Sequence, residues 1–248
     1  MDVRSNTILI TGGGSGIGRG LAEAFHKLGN KVIIGGRRQS ALQAVCAANP
    51  GMEHVSLDVK NRDQILRVAN RLNSTFPALN VIINNAGIQR AVDFNADAFS
   101  TDSIEEEIGT NLTGLVLMCA AFLPHLRKQP RAAVANVSSG LGLVPLSTVP
   151  VYSATKAAVH AFTASLRHQL RSTSVEVIEL IPPSVATDLR AGREDNGGPQ
   201  PMPLDEYIAE TMQRLEKGET EIAVGTARYG LAAVSGDDAR KIFAGMNP

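Results

Sequence analysis

The first apolar run, T-I-L-I-T at 7–11, is short and β-branched and breaks off into glycines, after which a helical pattern runs to Gly29 and Asn30, a pair suited to end a helix. That is a strand, a tight turn and a helix, and the rhythm repeats. K-V-I-I-G (31–35) reads as a strand, S-A-L-Q-A-V-C-A-A (40–48) as a helix stopped by Asn49, Pro50 and Gly51, and E-H-V-S-L-D (53–58) as a third strand. A helix over 61–73, a strand at 79–84, a long helix near 102–127, a strand at 132–138, a helix near 151–171 and a strand at 174–181 follow. Apolar Val and Ile strands alternating with helices predict an α/β fold, a parallel sheet covered by helices on both faces. L-D-E-Y-I-A-E-T-M-Q-R-L (204–215) resumes as an amphipathic helix, and E-I-A-V (221–224) reads as a last edge strand. Between them, A-G-R-E-D-N-G-G-P-Q-P-M-P (191–203) is too polar for a core, so 190–204 is expected to be a loop beside a substrate site.

Composition narrows the partners. The 248 residues suit a single α/β domain over 1–248, and 44% hydrophobic with 19% charged is ordinary globular usage. Twenty-four basic and twenty-four acidic side chains cancel, which argues against nucleic acid or an anionic membrane and for a small molecule. Cys46 and Cys119 are the two cysteines, and neither a signal core nor a run of about 18 apolar residues stands out, so a reduced, cytoplasmic protein is expected. The five histidines (26, 54, 125, 160, 168) lack metal-ligand spacing and are read as helix-surface or packing residues; no metal site is expected.

T-G-G-G-S-G-I-G (11–18) sits between the first strand and the first helix, where a phosphate-binding turn belongs. Glycine lets the backbone approach a pyrophosphate, and the free N–H groups at a helix start stabilise the anion. Gly12, Gly16 and Gly18 are the key members, with Gly14, Ser15 and Ile17 completing the turn. In Y-S-A-T-K (152–156), four residues separate Tyr152 from Lys156, so on a helix they share a face. Such a pair alone has a chance expectation of roughly 0.08 in a chain like this.

The spacing T-G-x-x-x-G-x-G, the tetrad Asn84, Asn85, Ala86, Gly87 after the fourth strand, and the ordered set Asn111, Ser139, Tyr152 and Lys156 resemble the short-chain dehydrogenases/reductases over residues 7 to about 188. Segments 84–90, 137–142, 166–170 and 201–206 look like the DltE-type branch of that family. The resemblance implies a Rossmann-like, doubly wound parallel sheet and an oxidoreductase that interconverts a carbonyl and a primary or secondary alcohol by hydride transfer. Tyr152 is then the acid/base. Bringing a tyrosine from about 10 toward neutrality takes roughly 4 kcal/mol of stabilisation of the phenolate, which the Lys156 cation and an oxidised nicotinamide can supply. The resemblance gives Ser139 the substrate oxygen, Lys156 also the nicotinamide ribose, and Asn111 a water linking Lys156 to solvent. It places Asp58 and Val59 at the adenine, Asn85, Ala86 and Gly87 along the cofactor, and Val185 and Thr187 at the carboxamide.

The second strand ends G-G-R-R, with Gly36 where NAD enzymes of this fold carry an acid and Arg37 after it, so NADP(H) is expected over NAD(H). Ser15 departs from the basic residue that many NADP-dependent members carry in the turn. In I-P-P-S-V-A-T (181–187), Pro183 replaces the family's glycine, so the loop under the nicotinamide is expected to take a different path. Leu141, Leu143, Val144, Pro145 and Leu146 are expected to form an apolar substrate wall. Small and apolar residues on the helices near 102–127 and 151–171 suggest a homodimer or homotetramer. The alternatives weighed are a non-catalytic NADP(H)-binding regulatory or sensor protein, which the intact proton-transfer set disfavours, and a sugar-nucleotide epimerase or dehydratase, which needs more chain and another glycine spacing.

Overall fold

In the computed structural model, which describes residues 1–190 and 200–234, the Val- and Ile-rich runs pair as strands and the helices between them cover both faces of the sheet. In chain order the elements are β1 (Thr7–Thr11), α1 (Gly16–Lys27), β2 (Lys31–Gly36), α2 (Gln39–Ala48), β3 (Glu53–Ser56), α3 (Arg62–Thr75), β4 (Leu79–Asn84), α4 (Thr101–Ile108), α5 (Gly114–Leu126), β5 (Ala132–Val137), α6 (Pro150–Gln169), β6 (Val175–Ile181), α7 (Leu204–Glu216), β7 (Glu221–Ala223) and α8 (Ala227–Val234). Among the described residues, seven strands pair in the order β3-β2-β1-β4-β5-β6-β7, each parallel to its neighbours.

The two-residue period of the strands divides their side chains between two cores. Ile8, Ile10, Val32, Ile34, Val81 and Ile83 pack with Leu21 and Phe25 of α1 and Tyr207 of α7. Leu9, Ile33, Ile82 and Val134, the alternate positions, pack with Leu72 of α3, Phe122 of α5 and Leu166 of α6. Burial on both faces explains why these strands are continuously apolar. The chain works outward from β1 through β2 to β3, then returns to the other side of β1 with β4. That reversal leaves a crevice at the carboxyl ends of β1 and β4, the place where such sheets bind ligands.

The helix expected over 102–127 is not continuous. Residues Gly109–Thr113 form a π-helical turn between α4 and α5. The wider turn is occupied by Asn111, whose fully buried amide donates to the Ile88 carbonyl at 2.8 Å and accepts from the Ile88 N–H at 2.8 Å. Binding a side chain across to another segment is what offsets the poorer geometry of a π turn, and such turns cluster at functional sites. The third strand closes at Ser56 and not at residue 58, and α8 follows β7 where no helix was anticipated. Within Thr101–Leu126 an 18-residue window reaches a mean hydropathy of 1.3, apolar enough to cross a membrane by length and composition. Here that apolarity serves the core: Met118, Cys119, Phe122 and Leu126 pack into the cluster behind β4 and β5. Residues 191–199, most of the anticipated substrate loop, lie outside the described residues. The loop's return is fixed by Met202, which pairs with Val185 and exchanges backbone hydrogen bonds with Ser184 and Ala186.

Candidate active site

The turn after β1 is shaped by contacts that leave no room for side chains. Gly12 has φ +68°, and a Cβ there would lie 2.9 Å from Asn85 Nδ2; a Cβ on Gly18 would lie 2.4 Å from the Gly12 carbonyl oxygen. Glycine is required on both counts. Asn85 secures the turn from β4: its Nδ2 donates to the Thr11 carbonyl at 2.9 Å, while the N–H groups of Asn85 and Ala86 both donate to Thr11 Oγ1 at 3.0 Å. At the start of α1, Ser15 makes no side-chain cap and the first turn carries no acid. The helix end is open to an anion.

This turn forms one end of a cleft of about 1470 Å³. Of the residues singled out from the sequence, Gly12, Gly14, Ser15, Gly16, Ile17, Arg37, Asp58, Val59, Asn85, Ala86, Gly87, Ser139, Tyr152, Lys156, Val185 and Thr187 line it. Gly18 and Asn111 are buried and stand behind the cleft wall. The apolar wall differs from expectation. Leu141, Val144 and Leu146 face the cleft, whereas Leu143 turns away to pack beside Ile181, Ala223 and Ala227. Pro145 is not part of the wall, and Met202 and Val149 are. Pro183 also lines the cleft, stacked against Gly225, while the Pro182 carbonyl accepts from the Gly140 N–H at 2.9 Å.

α6 begins with a proline at its first turn, a favourable start that places Tyr152 and Lys156 one turn apart at the cleft. The Lys156 ammonium lies 5.6 Å from the centroid of the Tyr152 ring. Both are buried, and Lys156 Nζ donates to the Val137 carbonyl at 2.8 Å. Burial pulls the lysine down to about 8, against the raising influence of the Glu179 and Glu107 carboxylates. Ser139, just past β5, accepts the Leu141 N–H at 3.1 Å and so caps the short turn that follows. Asn111 Oδ1 and Lys156 Nζ flank Gly87: a Cβ there would sit 3.3 and 3.7 Å from them. The Asn111 side chain itself is committed to Ile88 and, through a 3.2 Å bond, to Thr155 Oγ1.

At the far end, Arg37 is half exposed and paired with Glu106 at 3.2 Å. Glu106 also holds Lys60 at 3.2 Å and makes a short pair with Arg90, and these cations, Arg90 foremost, bring its carboxyl down to about 2. Arg38, whose side chain was not assigned a role from the sequence, donates to Ser15 Oγ at 2.7 Å and lays a second guanidinium against the glycine turn. The signal was the doubled arginine of G-G-R-R. His160, read as a surface or packing residue, instead bonds the buried Glu179 at 2.9 Å. Among the described residues no cluster of His, Cys, Asp and Glu is arranged to hold a metal ion.

The family model described as short chain dehydrogenase matches residues 6–197. An uncharacterized oxidoreductase of Bacillus subtilis (strain 168), DltE, is 41% identical over 249 residues, covering 100% of this chain and 98% of that protein. A Burkholderia cenocepacia J2315 short-chain dehydrogenase solved with NADP superposes with a TM-score of 0.82 at 28% identity, covering 100% of both chains. A Sphingobium yanoikuyae short-chain dehydrogenase solved with NADPH superposes at 0.84 and 27% identity, covering 97% of this chain and 95% of that one. A glycine turn at the strand reversal, a Tyr–Lys helix facing it and a full-length DltE-like relative together place the chain in the short-chain dehydrogenase/reductase family, in its DltE-like branch.

Proposed function

We propose that the protein is an NADP(H)-dependent oxidoreductase that interconverts an uncharged carbonyl compound and a primary or secondary alcohol, with Tyr152 as the acid/base. The observation that carries this reading is the convergence of Ser139, Tyr152 and Lys156 on the same cleft as the glycine turn. The cradle fits a dinucleotide: Gly12 and Gly18 leave the backbone bare, and the uncapped, acid-free start of α1 suits a pyrophosphate. Gly12, Gly14, Ser15, Gly16, Ile17 and Gly18 would hold the phosphates, Asp58 and Val59 the adenine, Asn85, Ala86 and Gly87 the middle of the cofactor, and Val185 and Thr187 the carboxamide. Arg37 is assigned to the 2′-phosphate, and two relatives solved with NADP or NADPH support that preference over NAD(H).

A nicotinamide held in this cradle would supply the hydride chemistry. In the reductive direction the Tyr152 hydroxyl gives its proton to the substrate oxygen as negative charge develops there, and it takes the proton back in the oxidative direction. Lys156, one turn away, stabilises the phenolate that remains and would hold the nicotinamide ribose. Ser139 receives the Leu141 N–H on its oxygen, which keeps the hydroxyl proton as a donor that holds the substrate oxygen in place. Asn111 fixes the Ile88 backbone beside Gly87 and orders the solvent link to Lys156. Leu141, Val144, Leu146 and Met202 give the substrate end an apolar lining, which favours an uncharged substrate. The protein acts in the cytoplasm as a homodimer or homotetramer.

A panel of aldehydes, ketones and diketones with NADPH, followed at the nicotinamide absorbance, tests the reading. Turnover of at least one substrate is expected. Tight NADPH binding with no turnover across the panel would instead mark a cofactor sensor.

A further inference from the structure

β6 carries an acid where a buried strand ordinarily has none: Glu179 is fully buried in the sheet. Its carboxylate accepts a short hydrogen bond from Ser138 Oγ at the end of β5, and His160 Nδ1 of α6 lies 2.9 Å from Oε2 and 3.1 Å from Oε1. A buried carboxylate is costly unless charges and donors surround it, and this one has both. The order Ser–Glu–His differs from a nucleophile set, in which the histidine, not the carboxylate, touches the serine. No acyl-transfer role follows from it.

The position of the group suggests another role. Ser138 is the neighbour of Ser139, and the carbonyl of Val137, the residue before it, receives Lys156 Nζ at 2.8 Å. His160 stands one helical turn beyond Lys156 on the same face of α6. Glu179 therefore sits behind the junction from which both the serine and the lysine project. The other charges near it are accounted for. Glu221 of β7 lies opposite Glu179 in the strand register but is paired with Arg167 of α6 at 3.1 Å. Glu107 of α4 also acts on Lys156, and it accepts the Arg90 N–H at 3.1 Å. Tyr152 faces the cleft.

Building on the function proposed above, we propose that Glu179 is a positioning residue for the proton-transfer pair: held between Ser138 and His160, its carboxylate is the buried counter-charge that keeps Lys156 cationic and anchors the strand end carrying Ser139. Glu179 is also the foremost of the anions that oppose the effect of burial on Lys156. The partly exposed His160 closes the outer side of the carboxylate, and its own titration is drawn upward by that contact.

The test is the titration of Lys156 in the full chain without cofactor, followed by NMR through its Cε methylene in lysine-labelled protein and assigned with Lys156→Arg. The wild-type midpoint is expected near 8. In Glu179→Gln, which keeps the shape and loses the charge, it should fall by about one unit or more. Glu179→Asp, which keeps the charge, should restore most of it. His160→Gln leaves the Glu179 carboxylate in place and removes no negative charge, so there the midpoint must not fall. An unchanged midpoint in Glu179→Gln, or a fall in His160→Gln, would overturn the proposal; should Glu179→Gln not fold, the same measurement on Glu179→Ala takes its place, an unchanged midpoint again overturning it. In turnover assays the loss of activity with rising pH should move to lower pH in Glu179→Gln. Turnover surviving in Tyr152→Phe would sink the proposed chemistry without altering this titration, so the two failures are distinguishable.

Discussion

Lys156 is the residue at which stability and chemistry pull in opposite directions. Its ammonium is buried, and its titration is brought from an ordinary 10.5 to about 8. Between those two pH values the unfolded chain binds a proton that the folded chain has released, so this residue makes folding stability rise with pH across that window. The full effect is about 3 kcal/mol. Denaturant unfolding of the wild type and Lys156→Met at pH 7.5 and 10.5 should therefore show a stability gain with pH in the wild type that is missing in the variant; parallel changes would refute the burial of a charged lysine. Arg37 belongs to the same scale. If Arg37 takes the 2′-phosphate as proposed, its side chain exchanges Glu106 for that phosphate, and a charge-assisted bond of that kind is worth about 2 kcal/mol. Arg37→Ala should weaken NADPH on the order of tenfold or more and NADH far less. Equal losses, measured by fluorescence titration, would remove the 2′-phosphate assignment.

At the scale of elements, the π turn at Gly109–Thr113 is the feature that most directly joins fold to site. Asn111→Ala would leave both the N–H and the C=O of Ile88 without the bonds that now bind them at 2.8 Å. A loss of about 2 kcal/mol is expected, seen as a lowered thermal midpoint. An unchanged midpoint would mean the π turn is held by other contacts. This turn also marks a limit of sequence reading. Hydrophobic periodicity located the strands and most helices because the central strands are buried on both faces and the helices on one, and those patterns repeat in the letters. A π turn inserts one residue without placing a proline or a charged break between 108 and 123, so the pattern looks like one continuous helix. The glycine turn, by contrast, was legible because only glycine meets its positive φ at Gly12 and its close contact at Gly18. The bond from Arg38 to Ser15 and the Ser138–Glu179–His160 group were not legible, since the partners lie 23 and up to 41 residues apart in the chain and pair only through the parallel sheet and its crossovers.

For the whole molecule, the doubly wound sheet sets the cleft at the reversal between β1 and β4 and brings α6 across to face it. α5 and α6 keep apolar residues that the core covers only in part, Val116, Leu117 and Phe162 among them. Assembly through those helices predicts a dimer or tetramer mass by light scattering at micromolar concentration, and a monomer there would contradict it. The central claim is narrower than the fold: a phenol at the cleft, supported by a buried ammonium, moves the proton while the glycine turn holds the cofactor. Tyr152→Phe removes one oxygen atom and leaves the cradle intact. Measured side by side, NADPH affinity should be within about twofold of wild type while turnover of the best panel substrate falls by a factor of about 100 or more. Turnover persisting near the wild-type rate with NADPH still bound would contradict the account.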